Sequence, residues 1–361
     1  MVLNDFNTMR KHKNVLALLN THKIDIVFAI FCTFLVLEYN YYVSITKVPG
    51  HDASVYLLNA RAWLTNKPLD ESFRPQLISW IIAGIWAING SENWLIVKGL
   101  QPIFTVSAGL VLYALLRKYK GSLFAFGVAT LTMINGTVFL FSTQIVTEGL
   151  ALFFLVLTLY FLKSRKENYW FLAGITIGLT FASRYPIVVQ ALAIFIVESI
   201  VCRRPKLAIR TISGATLVIV IVVLAIYIKD GAFHTALAKD TSVSLLISPF
   251  YLKNSINIWG FAFLLVPIAF LYKRTYADSF NYSFIAWFIV SLLFWSASSA
   301  NFQFRFAIQY TPAVYFLSVL AIESIKKSSI RNNSVFSNRH DIHSYLKSLR
   351  GKYKYHILGR W

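Results

Sequence analysis

Between Asp52 and Trp63 the sequence sets a carboxylate, a phenol, an amide and an indole at helical spacing. Asp52, Tyr56, Asn59 and Trp63 stand at i, i+4, i+7 and i+11, on one stripe of a helix. That set suits a polyhydroxylated substrate. A carboxylate takes a hydroxyl proton, an amide bonds hydroxyls, and an indole covers the apolar face of a sugar ring. The stripe equally suits an interfacial helix, with Tyr56 and Trp63 in an aromatic belt and Asp52 as its N-cap. Taken alone, periodicity favours the interfacial reading.

The elements around the stripe decide what it faces. Of 361 residues, 57% are hydrophobic and only 14% are charged, well below the quarter or so of charged residues usual in soluble domains. Lipid is the solvent that accepts this much apolar surface, so the chain reads as an all-α polytopic membrane protein. Apolar runs fall at about 24–45, 94–116, 122–142, 147–162, 169–183, 186–202, 207–228, 256–272, 280–297 and 306–325, which predicts about ten transmembrane helices. Ser54–Leu64 and Gln76–Asn89 read as juxtamembrane helices, because the second is short of the roughly 20 residues that a span needs. The apolar run from Ile24 continues to Val43 without a small-residue cleavage site, which disfavours a signal peptide.

Charge orients the spans. With the N-terminus in the cytoplasm, ten spans put RKYK (117–120), KSRK (163–166), CRRPK (202–206), YKR (272–274) and the tail inside as well. The formal net charge of +20 is then a matter of topology, and nucleic acid is not needed as a partner. The predicted organisation is a transmembrane domain over 1–325, its first extracytoplasmic loop at 46–93, and a basic cytoplasmic tail at 326–361. Ile342, Tyr345, Leu346, Leu349 and Tyr353 in that tail recur at the spacing of a helix lying on the inner leaflet. Outside remain Asp52, Asp70, Glu71, Glu92, Glu148, Arg184, Asp230, Asp240 and Arg305, collected on one face of the membrane.

Several of these residues fall into ordered motifs. Gly50-His-Asp52-x-x-x-Tyr56-Leu-x-Asn59-Ala60-Arg61, followed by Arg74-Pro75-x-Leu77 before an apolar helix, resembles the first extracytoplasmic loop of GT-C glycosyltransferases. Similarity is closest to the polyprenyl-phosphate-sugar-dependent branch, which holds protein O-mannosyltransferases and aminoarabinose transferases. Thr147-Glu148-Gly-Leu, Lys98 in NWLIVKG, Arg184-Tyr-Pro and Arg305-Phe-Ala-x-x-Tyr-x-Pro match further motifs in order and side. The resemblance covers about the first 190 residues, and 295–325 by one motif. It implies a GT-C fold, a catalytic aspartate at Asp52 with Glu148 assisting, and a polyprenyl (dolichyl or undecaprenyl) monophosphate sugar donor. It further implies an acceptor hydroxyl of unknown parentage (protein, lipid or glycan), attacked with inversion. Tyr56, Asn59, Trp63 and Arg74 would line the substrate, while Lys98, Arg184 and Arg305 would meet the phosphate.

The chain departs from the pattern at three points. Ala53 follows Asp52 where a second acid is usual, Gln76 stands where a second proline is common, and no extracytoplasmic domain is expected after the tenth span. Simpler readings stand beside the functional ones. Glu148 would complement a helix dipole for about 0.3–1 kcal/mol, and Arg184 and Arg305 would snorkel to headgroups. His51, His234, Asp70 and Glu71 read as solvated loop residues without metal-ligand spacing, so no cofactor is implied and a divalent metal has no motif behind it. The rival class is a transporter or flippase of lipid-linked anions, against which stand the missing internal repeat and the one-sided polar residues.

Overall fold

The computed structural model describes residues 2–45, 51–164, 166–203, 205–233, 248–297 and 303–329, with side-chain detail from His22 onward except at His51, Cys202 and Arg274. The basic-tail helix predicted around Ile342–Tyr353, and His234 and Asp240 in the loop after Lys229, lie outside the described residues. Among the described residues every regular element is helical. In chain order they begin with α1 (Val2–Ile45), α2 (His51–Thr65), α3 (Leu77–Asn89), α4 (Trp94–Lys120) and α5 (Ser122–Ile134). Then come α6 (Gly136–Ser142), α7 (Glu148–Leu162), α8 (Glu167–Ser183), α9 (Val188–Cys202) and α10 (Pro205–Asp230). Short helices from Phe250 to Ala277, the helix Ser279–Ala297 and the closing helix Phe304–Ser329 complete the described chain.

Each of the ten predicted apolar runs is helical, but they are unequal. Among the described residues, five helical stretches are long and apolar enough to cross a membrane: His22–Ile45, Trp94–Lys120, Pro205–Asp230, Ser279–Ala297 and Phe304–Ser329. The pair α5 and α6 makes a sixth if counted as one bent span. Leu77–Asn89, Glu148–Leu162, Tyr185–Val201 and Ser255–Leu271 are shorter apolar helices. The 15 residues of α7, for example, reach only about 22 Å at 1.5 Å per residue, less than the roughly 30 Å of a typical hydrocarbon core.

The bend between α5 and α6 has a clear cause. Asn135 leaves helical geometry at φ −56°, ψ 128°, and its Oδ1 accepts the backbone N–H groups of Thr137 and Val138. The side chain therefore caps a new helix at 59° to the old one. Its amide nitrogen donates to the Ile258 carbonyl at 2.6 Å and to the Tyr315 hydroxyl at 3.0 Å, so both polar atoms of the Asn135 side chain have partners. The redirection brings 143–147 out as a loop before α7.

Two packing features hold the frame. Helices α8 and α10 touch along Gly174, Gly178 and Gly214, where any Cβ would run into the facing backbone or Val218. Such small-residue contact is how helices approach closely in lipid. A separate apolar cluster of Tyr56, Ala60, Ile78, Ile82 and Trp86 with Ile145 and Leu150 fastens α2 and α3 to the start of α7.

Candidate active site

Asp52 lies in the first turn of α2, which begins at His51, so it is not the cap expected from the sequence. Ala53 and Tyr56, buried against α3, turn this end of the helix inward. The Asp52 carboxylate is gripped by two arginines. Arg74 Nη1 donates to Oδ1 at 3.0 Å, and Arg305 Nη1 donates to Oδ2. Burial by itself pushes the Asp52 carboxyl up, but Arg305 and then Arg74 outweigh it and hold it below its ordinary value.

A second acid joins the same network. Glu148 opens α7 and is 1% exposed. Its Oε1 accepts from Arg184 Nη1 at 2.7 Å and stands 3.6 Å from Arg305 Nε. Arg305 thus bridges the two carboxylates. Arg184 sits in the extended residue that ends α8, just before Tyr185-Pro186, and its Nη1 also reaches the Thr147 hydroxyl at 3.2 Å. Glu148 Oε2 and Arg184 Nε are buried without a hydrogen-bond partner among the described residues, a cost that sites kept for a ligand commonly bear. Three acids (Asp52, Glu71, Glu148) and three arginines (Arg74, Arg184, Arg305) make the network neutral. Beside it lies a cavity of about 290 Å³ walled by Asp52, Gln144, Val146, Gln303 and Arg305.

Other residues of the sequence set have different partners. Asn59 is fully buried and spends its amide on the loop: Oδ1 accepts Asp70 N–H at 2.8 Å, and Nδ2 donates to the Glu71 carbonyl at 3.2 Å. In the structure its amide is engaged by the backbone of the first loop. Trp63 donates to Gln76 Oε1 at 3.2 Å, packs edge-on to Trp80, and has Lys229 Nζ 5.5 Å from its ring centre, away from Asp52. Tyr56 is buried, and burial pushes its hydroxyl up, with Glu148 adding to the shift. Lys98, on α4, donates to the Val43 carbonyl near the end of α1 at 3.4 Å and has its Nζ 5.8 Å from the centre of the Trp94 ring.

Three participants were not foreseen. Glu71, expected to be solvated, accepts from Arg74 Nε at 2.6 Å and aims that arginine at Asp52. Gln76, at the position where a second proline is common in the resembling family, donates to the carbonyls of Arg74 at 2.8 Å and Glu71 at 3.4 Å. Tyr185 donates to the Arg74 carbonyl at 3.3 Å and ties the loop to the bundle. The tripeptide Arg184-Tyr-Pro was visible in the sequence, but its middle residue carried no signal of this role. Among the described residues no three His, Cys, Asp or Glu side chains converge in a group able to hold a metal ion.

Residues 73–228, which hold Arg74, Lys98, Glu148 and Arg184, match the family model of dolichyl-phosphate-mannose-protein mannosyltransferases. Through this segment the chain is similar to that family. Asp52 and Arg305 lie outside the matched segment, and for them the fold is the guide. The structure is similar to that of ArnT from Cupriavidus metallidurans bound to undecaprenyl phosphate, with a TM-score of 0.66 at 13% identity over 87% of this chain. It is also similar to the archaeal oligosaccharyltransferase AglB from Archaeoglobus fulgidus, in complex with an inhibitory peptide and a dolichol-phosphate, at 0.58 and 14% over 88%. The chain spans 63% of the first relative and 52% of the second. No curated protein matches the sequence. The fold shared with these structures is GT-C-like, in a multi-pass membrane protein.

Proposed function

We propose that the chain transfers a sugar from a polyprenyl monophosphate to an acceptor hydroxyl. The observation that carries this reading is Arg305 spanning Asp52 and Glu148 at the wall of a cavity. Asp52 takes the hydroxyl proton as the acceptor oxygen attacks the anomeric carbon. The bond from that carbon to the phosphate oxygen breaks on the opposite face, and the polyprenyl phosphate leaves with the electron pair. The anomeric configuration inverts. Arg305 and Arg184 stabilise the charge that develops on the leaving phosphate, a contribution typically worth about 10²–10³ in rate per lost donor in comparable sites.

Free Asp52 is a poor base because two cations hold it. The donor's monoanionic phosphodiester competes for Arg305 on entering the cavity and gains its second charge as the bond to the sugar breaks, and each step of that arginine away from Asp52 returns basicity to the carboxylate. The undecaprenyl phosphate and dolichol-phosphate bound by the two relatives agree with a lipid phosphate as the ligand. Lys98, a cation buried between α1 and α4, fits the path of that phosphate out of the bilayer, since such residues are costly unless used. Ten spans, both termini in the cytoplasm and the Asp52 cavity on the far side complete the reading, supported by the Lys and Arg bias. The test is sugar transfer by the purified full chain from a panel of polyprenyl-phosphate sugars, with Asp52→Asn alongside. Absence of transfer from every donor, with each donor bound, would overturn it.

A further inference from the structure

The end of the helical bundle opposite Asp52 carries a second polar cavity, unrelated to the network above. Glu148 begins α7 and Lys163 follows its last residue, so the two ends lie about 22 Å apart at 1.5 Å per residue. The far cavity has a volume of about 440 Å³ and is lined by Tyr119, Lys163, Trp170, Glu198, Asp278 and Phe280, among others. Sites for small ligands span roughly 300–1,000 Å³.

Its charges are unusual for their depth. Glu198, on α9, is 2% exposed, pairs with Lys163, and accepts the Ser283 hydroxyl. An ionisable pair sunk in a membrane helix bundle is weak as a stabilising device and is generally kept for use. Asp278, at the rim and 46% exposed, pairs with Lys120. Lys163 and Lys120 both lie over the Phe280 ring, 4.8 and 5.4 Å from its centre. Among the described residues the cavity therefore presents the Lys163 ammonium, two carboxylates and aromatic walls, with the Lys120 ammonium paired to Asp278 at its edge.

A bare anion gains from the lysines only what it loses to the carboxylates. A zwitterion gains from both. Carboxylates favour a partner that donates N–H, which selects a primary ammonium over a quaternary one. The cavity also lies at helix ends, the depth at which lipid headgroups sit. We propose that it binds the phosphoethanolamine headgroup of a membrane lipid, ammonium to Glu198 and Asp278, phosphate to Lys163 and Lys120.

The test uses the full chain in detergent, stripped of co-purified lipid and offered equal amounts of phosphatidylethanolamine, phosphatidylcholine and phosphatidylglycerol. Bound lipid is counted by native mass spectrometry. Phosphatidylethanolamine occupancy should exceed the other two by about ten-fold, the factor that one extra charge-assisted contact supplies. Glu198→Gln and Asp278→Asn should each erase most of that preference. If the buried Glu198→Gln variant does not fold, Asp278→Asn at the exposed rim carries the test. Soluble phosphoethanolamine that competes shows the headgroup to be sufficient, and failure to compete with the preference intact assigns the site to the whole lipid. Equal occupancy by the three lipids, a preference for phosphatidylglycerol, or a preference surviving Asp278→Asn overturns the proposal. Lys163–Glu198 would then be a clamp between α7 and α9.

Discussion

Arg305 donates to the Asp52 carboxylate across 253 residues of chain while its Nε stands 3.6 Å from Glu148 Oε1. One guanidinium thus couples the two acids of the cavity. Because the same guanidinium is the nearest cation to an incoming phosphate in the proposed mechanism, the base and the leaving group compete for it.

Replacing Asp52 by Asn keeps size and removes the proton acceptor. Transfer should fall by at least about 100-fold, the lower end for a positioned base. Donor affinity should not weaken, since Arg305 is released from its carboxylate. A folded variant transferring at the wild-type rate would remove Asp52 from the chemistry and make Glu148 the residue to test.

Because Asp52 is held below its ordinary value, it stays ionised down to below about pH 3.9, the unperturbed aspartate value. The associated stability is present above that unfolded value and is lost as pH falls through the folded one. Arg74→Gln removes a contact that lowers the pKa and leaves the burial that raises it. The acid limb of the pH profile of kcat/KM should therefore move to higher pH in this variant. An acid limb at the same pH in both proteins would rule out Asp52 as the titrating base.

Asn59 closes the first loop through the backbone of Asp70 and Glu71. Asn59→Ala leaves those groups without their partner, a loss of about 1–3 kcal/mol. Thermal unfolding in detergent should shift down, and proteolysis between residues 66 and 76 should speed up. Unchanged unfolding, together with a KM effect that depends on the donor sugar, would instead return Asn59 to the substrate.

Topology is open to direct labelling. Single cysteines at Lys67 and Lys118, both exposed, should react from opposite sides of the membrane. Labelling from one side would break the ten-span arrangement.

Much of the candidate site was legible because its residues stand in short motifs. Asp52, Arg74, Glu148, Arg184 and Arg305 stand in such motifs, and the structure joins them in one network. The stripe through Asn59 and Trp63 was less informative, because spacing tells which face residues share, not what that face meets. Asn59 turned to a loop whose backbone needed partners, and Trp63 to Gln76. Glu71 looked solvated because its partner lies at i+3 in an irregular loop, outside any periodic pattern. Among the spans, apolar residues on both sides of Asn135 hid the 59° break. The helix α1 also runs back to Val2 through charged residues that hydropathy excludes but helix propensity tolerates.

The loop that carries Asp52 and Arg74 leaves the ribosome long before the closing helix that carries Arg305. A growing chain with α2 and α3 already packed holds Asp52 with Arg74 alone. The pairing that couples both acids is the last to be made, after the helix Ser279–Ala297 and residues 303–310 are in place. Insertion of the closing span is therefore the event that completes the site, and a nascent protein stalled before it contains every earlier motif without the network that joins them.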